Sequence, residues 1–370
     1  MKHGEFKIPF YAKAAFVFIC VYAFVYTLRI GQHILVPIIY ATLIAILLNP
    51  LINFLVRKKL NRIIAISIAV FLAVVLVLSV LYVITTQFYI FNEFYPKIKI
   101  KFGETSAGAA QWVSQKFNIS ELKINTWVKE TEQEAVKSFA IGATILQVGR
   151  TTAALILLPV YLFMMLYYKE LLLEFLRKLF TAENHKTVVE VLTNAKSIVQ
   201  SYLVGLFFEM LIVAALNSTG LLLMGIDYAV ILGITGALLN IIPYIGGIMA
   251  AAISVVIAFV TKDSYVYPLL VLCLYIFVQF IDNHFIVPRV VASRVKINAL
   301  MSIVVVLIGG ALWGIPGMFL SIPLTAILKV IFDHIEPLKP LGFLLGNMAP
   351  ASSKLLFRKQ NQQKDTRETI

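Results

Sequence analysis

Two carboxylic acids, Glu209 and Asp282, stand inside apolar stretches of this 370-residue chain. An ionisable group surrounded by hydrocarbon is costly and normally faces a bundle interior or a water-filled path. Each is therefore a candidate carrier of a proton or a cation. On a helical projection Glu209 shares one stripe with Gly205, Leu216 and Gly220. Glycines beside a carboxyl let another helix close on it. The alternative for Glu209 is a structural hydrogen bond. Asp282 lies in Gln279-Phe280-Ile281-Asp282-Asn283-His284 at the end of an apolar run. It could pair with Arg289 or Arg294, or serve as a gate or ion site. Asn240, shortly before Pro243, could cap a helix break or touch a solute. Asn217-Ser218-Thr219 reads as helix–helix glue, and Arg29 and His33 as interfacial anchors.

Two interruptions accompany these residues. Tyr228–Ile242 and Ile248–Val260 are apolar runs separated by a segment containing Pro243, Gly246 and Gly247. Ala299–Trp313 and Met318–Ile331 are separated by Gly314-Ile315-Pro316-Gly317. A run of about 15 residues extends only about 20 Å as a helix, short of a bilayer core. Each pair could enter and leave by the same face. A helix break exposes backbone N–H and C=O groups that lipid cannot satisfy, so it is tolerated where protein or water covers it. Those same groups can hold a polar substrate or an ion. The competing reading is a pair of tight turns between ordinary helices. The expected path residues are Asn240, Pro243, Gly246, Gly247, Gly314, Pro316 and Gly317, with Glu209 and Asp282 as charge-bearing members.

The elements that must hold these residues follow from composition. Hydrophobic residues make up 60% of the chain and charged residues 14%, with mean hydropathy +0.89. A soluble domain is about 45–50% apolar and about 25% charged. That excludes a typical soluble enzyme, a disordered chain and a nucleic-acid module, and leaves an all-α, polytopic membrane protein with about six to eight spans. Full-length candidates are Phe10–Leu28, Ile34–Val56 (interrupted by Asn49-Pro50), Ile63–Tyr95, Thr151–Tyr168, Tyr202–Met224 and Tyr265–Ile281. The first is expected to be a retained span and not a cleaved signal, because no small-residue cleavage site follows it. Cys20 and Cys273 lie in apolar runs and read as small hydrophobes within helices.

Four regions result: spans over 1–95, a small helical insert over 96–147, a membrane core over 148–335, and a basic tail over 336–370. Within the core, Lys169–Gln200 has charges and apolar residues at helical spacing and reads as a helix at the membrane surface. With the N-terminus inside and spans alternating, 22 of the 32 Lys and Arg fall on the inner side. That satisfies the positive-inside rule and accounts for the net charge of +13 without nucleic acid. It puts both termini in the cytoplasm and the 96–147 insert outside. The first broken hairpin then enters from outside and the second from inside, so their tips should approach near the midplane.

No HExxH, G-x-S-x-G or P-loop occurs, and no paired His or Cys has metal-ligand spacing. The expectation is therefore no enzyme, no cofactor and no metal. Energy for any transport would come from a gradient or a partner.

The chain resembles the autoinducer-2 exporter family, which includes the PerM-type permeases. Three segments carry the resemblance: Gly225-Ile226-Asp227-Tyr228 with Leu238 to Gly246; Asp282-Asn283 with Pro288-Arg289-Val290-Val291; and Ile308 to Met318 followed by Ser321-Ile322-Pro323-Leu324. The likeness is sharpest over about residues 195–335. Before the last hairpin the family often has a His-Pro pair, whereas here the run is Lys296-Ile297-Asn298-Ala299. Any role of that His is not carried over.

The resemblance implies a homo-oligomer in the bacterial inner membrane that exports a small polar solute such as autoinducer-2. Some members are instead described as sodium or lithium/proton antiporters, and Glu209 would suit that exchange. A membrane scaffold with no flux is the remaining alternative, and it would tolerate Glu209→Gln.

Overall fold

The structure is a computed structural model, and it describes residues 9–117, 148–243, 245–291 and 297–346. Among the described residues there is no strand; the only β pairing is an isolated bridge between Ile297 and Gly346. Six helical stretches among the described residues are long and apolar enough to cross a membrane. A helix is the natural unit here because it satisfies its own backbone, which lipid cannot. Hydroxyls obey the same constraint. Thr27, Thr42, Ser79, Thr85 and Thr86 each donate to the carbonyl four residues earlier, at 2.8–2.9 Å.

Helix α1 spans Phe10–Ile30 and buries no residue. A turn at Gly31 leads into α2, Gln32–Arg57, which runs through both Pro37 and Pro50. Helix α3, Arg62–Phe117, has 56 residues and an apolar portion over Arg62–Thr86. At 1.5 Å per residue it is about 84 Å long, far more than a bilayer core. The expected boundary between Tyr95 and Pro96 is therefore not a break in the backbone: the helix passes through Pro96 into the start of the anticipated insert. The rest of that insert, with Trp127, Val136 and Phe139, lies outside the described residues, as do the glycine-to-proline tip residue Tyr244 and the tail beyond Gly346.

Helix α4, Val148–Tyr167, packs on α2 and α3. Ile52, Ile66, Leu162 and Leu166 form their common core. The stretch expected to be one surface helix divides in two. Helix α5, Lys169–Lys178, is short and amphipathic, with Leu171, Leu172 and Phe175 exposed opposite its charges. The remainder begins α6, His185–Leu223, a single 39-residue helix whose second half is the expected fifth span. Lys169 ties the first part down, donating to buried Asn49 of α2 at 3.0 Å. Burial pushes its ammonium below the ordinary lysine value, with nearby Glu170 opposing.

Both broken pairs are antiparallel hairpins. The first is α7, Ala229–Asn240, and α8, Ile245–Thr261. Helix α9, Val266–Ile281, follows and continues into ten residues of π-helix, Asp282–Val291. The second hairpin is contained in α10, Ala299–His334. Gly314 has φ 63° and ψ −145°, a conformation open essentially to glycine alone, and it reverses the chain. Its two arms press backbone on backbone: a Cβ on Gly309 would overlap the Gly317 carbonyl, and one on Gly317 would overlap Gly309. Ser321 donates to the Gly317 carbonyl at 2.6 Å beside this contact.

The base of the second hairpin is closed by Asn298. Its Oδ1 accepts from the Met301 N–H at 2.9 Å, capping α10. Its amide donates to the Leu344 and Gly346 carbonyls at the end of α11, Lys339–Leu345. The start and end of α10 thus lie on one side.

The tip of this hairpin corrects an expectation. It does not meet the first tip near the midplane. Trp313 donates to the Leu28 carbonyl at the end of α1, and Tyr40 of α2 donates to the Pro316 carbonyl at 3.2 Å. The second tip therefore reaches the α1–α2 turn. An indole N–H in hydrocarbon needs an acceptor, and the last turn of α1 supplies one with no intrahelical partner.

These contacts separate two kinds of glycine. Gly314→Ala puts its methyl in open space, so its cost is conformational, about 1–3 kcal/mol. Gly309→Ala forces the two arms apart and should cost as much or more through overpacking. Thermal melting of purified protein in detergent should show both variants destabilised, and Gly314→Ser should not rescue the first.

Candidate functional site

The site forms where the first hairpin breaks. Helices α6 and α7 are antiparallel about a turn in which Gly225 and Tyr228 both have positive φ. Gly233 sits directly on the Ser218 backbone, so the two helices approach closely. Ser218 donates to the Val230 carbonyl, consistent with the expected helix–helix role of that polar triplet. This pairing brings Glu209 of α6 opposite Asn240, the last residue of α7. At the break, Gly246 packs against the Leu239 carbonyl with no room for a Cβ. Gly247 lies against the side chains of Asn240 and Gln279. The two glycines seat α8 on the end of α7 and leave the Asn240 amide facing α9.

Asn240 Nδ2 donates to Asp282 Oδ2 at 2.8 Å and to Glu209 Oε1 at 3.4 Å. Gln279 Nε2 adds a longer contact to the same Asp282 oxygen, at 3.5 Å. Glu209 is 7% exposed and Asp282 is 2% exposed. The other Asp282 oxygen, Oδ1, is buried without a hydrogen-bond partner among the described residues. The anticipated pairing of Asp282 with Arg289 is not made: the Arg289 guanidinium stacks over the Phe285 ring. Arg294 lies outside the described residues.

Among the described residues, no Lys, Arg or His pairs with either carboxyl. The start of α8 lies beside them, with Gly247 and Ile248 lining the same space, and a helix N-terminus carries partial positive charge. Such a pair can take up a proton or a monovalent cation. No group of three or more His, Cys, Asp or Glu among the described residues could hold a metal ion.

These groups form the polar pole of a cavity of about 900 Å³. Its apolar walls include Ile248, Val255, Leu272 and Ile276, and Ser302 and Ile322 contribute from α10. That volume is in the range of small-molecule sites. Of the expected path residues, the structure brings Glu209, Asn240, Pro243, Gly247 and Asp282 to this cavity. Gly246 stands behind it as packing. Gly314, Pro316 and Gly317 do not line it and lie at the second tip against α2.

Five polar residues of the lining escaped the sequence reading as site candidates: Gln279, Tyr202, Tyr275, Asn283 and Ser302. A helical signal was present for three. Gln279 and Tyr275 precede Asp282 by three and seven residues, and Tyr202 precedes Glu209 by seven, so each pair shares a face.

Comparison with known proteins agrees with this architecture. Residues 15–336 match the family described as AI-2E family transporter. YueF of Bacillus subtilis (strain 168) is 27% identical, over 87% of this chain and 88% of its own length. YhhT of Escherichia coli (strain K12) is 24% identical, over 87% and 90%. The AI-2 transport protein TqsA of E. coli (strain K12) is 24% identical, over 87% and 92%. A match across the membrane-length helices and both hairpins leaves one conclusion: this multi-pass membrane protein belongs to the AI-2E family of transporters.

Proposed function

We propose that this chain is a secondary transporter exporting a small polar solute, autoinducer-2 or a molecule like it, from the cytoplasm across the bacterial inner membrane. Both termini are cytoplasmic in this reading, as the distribution of Lys and Arg favours. The observation that carries it is the Asn240 amide shared between Glu209 and Asp282 at the pole of the cavity. Two carboxyls bridged by one neutral donor have room for a coupling proton or cation, and the cavity beside them has room for an organic solute. The likeness to TqsA, an AI-2 transport protein, supports the cargo.

A second reading is a sodium or lithium/proton antiporter with no organic cargo. It is favoured by the same carboxyl pair, which has no basic partner among the described residues and faces a cation as readily as a proton.

Proteoliposomes under an imposed pH gradient distinguish the two. Addition of autoinducer-2 should trigger both solute efflux and proton movement. Glu209→Gln should reduce the proton component about tenfold to a hundredfold, as expected for losing a hydrogen-bonded charged group. Sodium- or lithium-triggered proton flux without solute, lost in Glu209→Gln, would establish the antiporter instead. Absence of any flux would return the chain to the scaffold reading.

Asn240→Leu tests the bridge itself. It leaves two buried carboxyls without their common donor, so it should cost about 1–3 kcal/mol of stability and stop flux. Detergent melting and the same flux assay check this, and a fully active Asn240→Leu would remove the bridge from the mechanism.

A further inference from the structure

Beyond the carboxyl pair, the same four helices hold a second polar layer. On α6, Asn217 lies two turns past Glu209; on α9, Tyr275 lies two turns before Asp282; on α7, Gly236 lies one turn before Asn240. The absent side chain of Gly236 joins them: its Cβ position is 3.1 Å from Tyr275 Oη and 3.3 Å from Asn217 Nδ2. Ser254 of α8 completes the group, with its Oγ 2.7 Å from Tyr275 Oη. Between the two layers, Val213, Ala237 and Val278 pack together as an apolar step.

Two features make this layer more than helix glue. Asn217 is 2% exposed, yet its Oδ1 has no hydrogen-bond partner among the described residues; buried Thr235, next to Gly236, has an unpartnered Oγ1 as well. A buried polar atom left unpaired is costly, so a protein retains it where something else pairs with it. Tyr275 also lines the cavity that contains the carboxyl pair, so the layer borders that space.

We propose that Asn217, Ser254 and Tyr275 form a second, uncharged binding station for a neutral hydroxylated solute. This rests on the transporter reading given above. The station offers an amide that donates and accepts, and two hydroxyls that each do both. None of these groups carries a charge, so the station matches alcohol and carbonyl groups better than a bare cation. A solute leaving the carboxyl layer would cross the Val213–Ala237–Val278 step and exchange one set of hydrogen bonds for another. The coupling proton or cation would stay at Glu209 and Asp282.

Cysteine accessibility tests the station without a known cargo. The full chain with Cys20→Ser and Cys273→Ser would carry either Ser254→Cys or Gln279→Cys. Membrane vesicles of both orientations would be treated with a charged methanethiosulfonate reagent. Labelling at 279 and, about tenfold or more slowly, at 254 is the expected result, because the apolar step must open to reach the second layer. Labelling at 279 alone would overturn the station and leave the cavity reading intact. Labelling at neither would overturn both.

Tyr275→Phe supplies a second measurement and removes only one oxygen. With autoinducer-2 as probe, its half-saturating concentration should rise about three- to tenfold, the worth of one neutral hydrogen bond. Should Ser254→Cys not accumulate, an unaltered half-saturating concentration in Tyr275→Phe overturns the station.

Discussion

The two N–H bonds of the Asn240 side chain hold the centre of this protein together. One points to a carboxyl on α6 and the other to a carboxyl at the start of the π-helix that continues α9. In water such bonds would exchange freely with solvent and contribute little. Inside a bilayer the exchange is unavailable, so each missing partner costs far more than each bond gains. The hairpin must therefore end where it does, at the depth of Glu209 and Asp282, because only there are both acceptors in reach. Leucine at this position would fill similar space and satisfy neither group.

Close backbone approach makes that arrangement possible. Gly233 lets α7 lie on α6, Gly246 and Gly247 let α8 begin against the end of α7, and Gly309 with Gly317 closes α10 on itself. Lipid tails are as apolar as leucine, so burying hydrocarbon does little to draw these helices together. Packing of small residues and interhelical hydrogen bonds take over. The consequence is a molecule in which backbone contact is concentrated along the functional helices. The rim is different: α1 buries nothing and meets the rest chiefly through its end, where Leu28 receives the Trp313 indole.

The two hairpins look alike in sequence and act differently in space. The first ends at a cavity, with polar side chains gathered on its last residue. The second runs on to the α1–α2 turn and contributes its base, through Ser302 and Ile322, to the cavity wall. The second tip is fixed by two hydrogen bonds to other helices: Tyr40 of α2 donates to the Pro316 carbonyl, and Trp313 of the tip donates to the Leu28 carbonyl of α1. Such anchoring fits a support for the site more than a part of it.

The sequence by itself determined the solvent and the alphabet of the fold. Apolar runs of membrane length, the placement of Lys and Arg, and the Pro/Gly interruptions specify helices, their number and two reversals, because each is a local property of the chain in lipid. It also marked Glu209, Asn240 and Asp282, since a polar residue in an apolar run stands out without any knowledge of its neighbours. Tertiary structure decided which of these meet. That Asn240 faces both carboxyls depends on the α6–α7 crossing at Gly233 and on the seat of α8 at Gly246, contacts between residues distant in sequence. That Gly314 lies away from the cavity depends on an indole in one helix finding a carbonyl in another. Helical spacing fixes what shares a face, but only packing fixes what that face meets, because the acceptor a buried donor chooses lies on a different element of the chain.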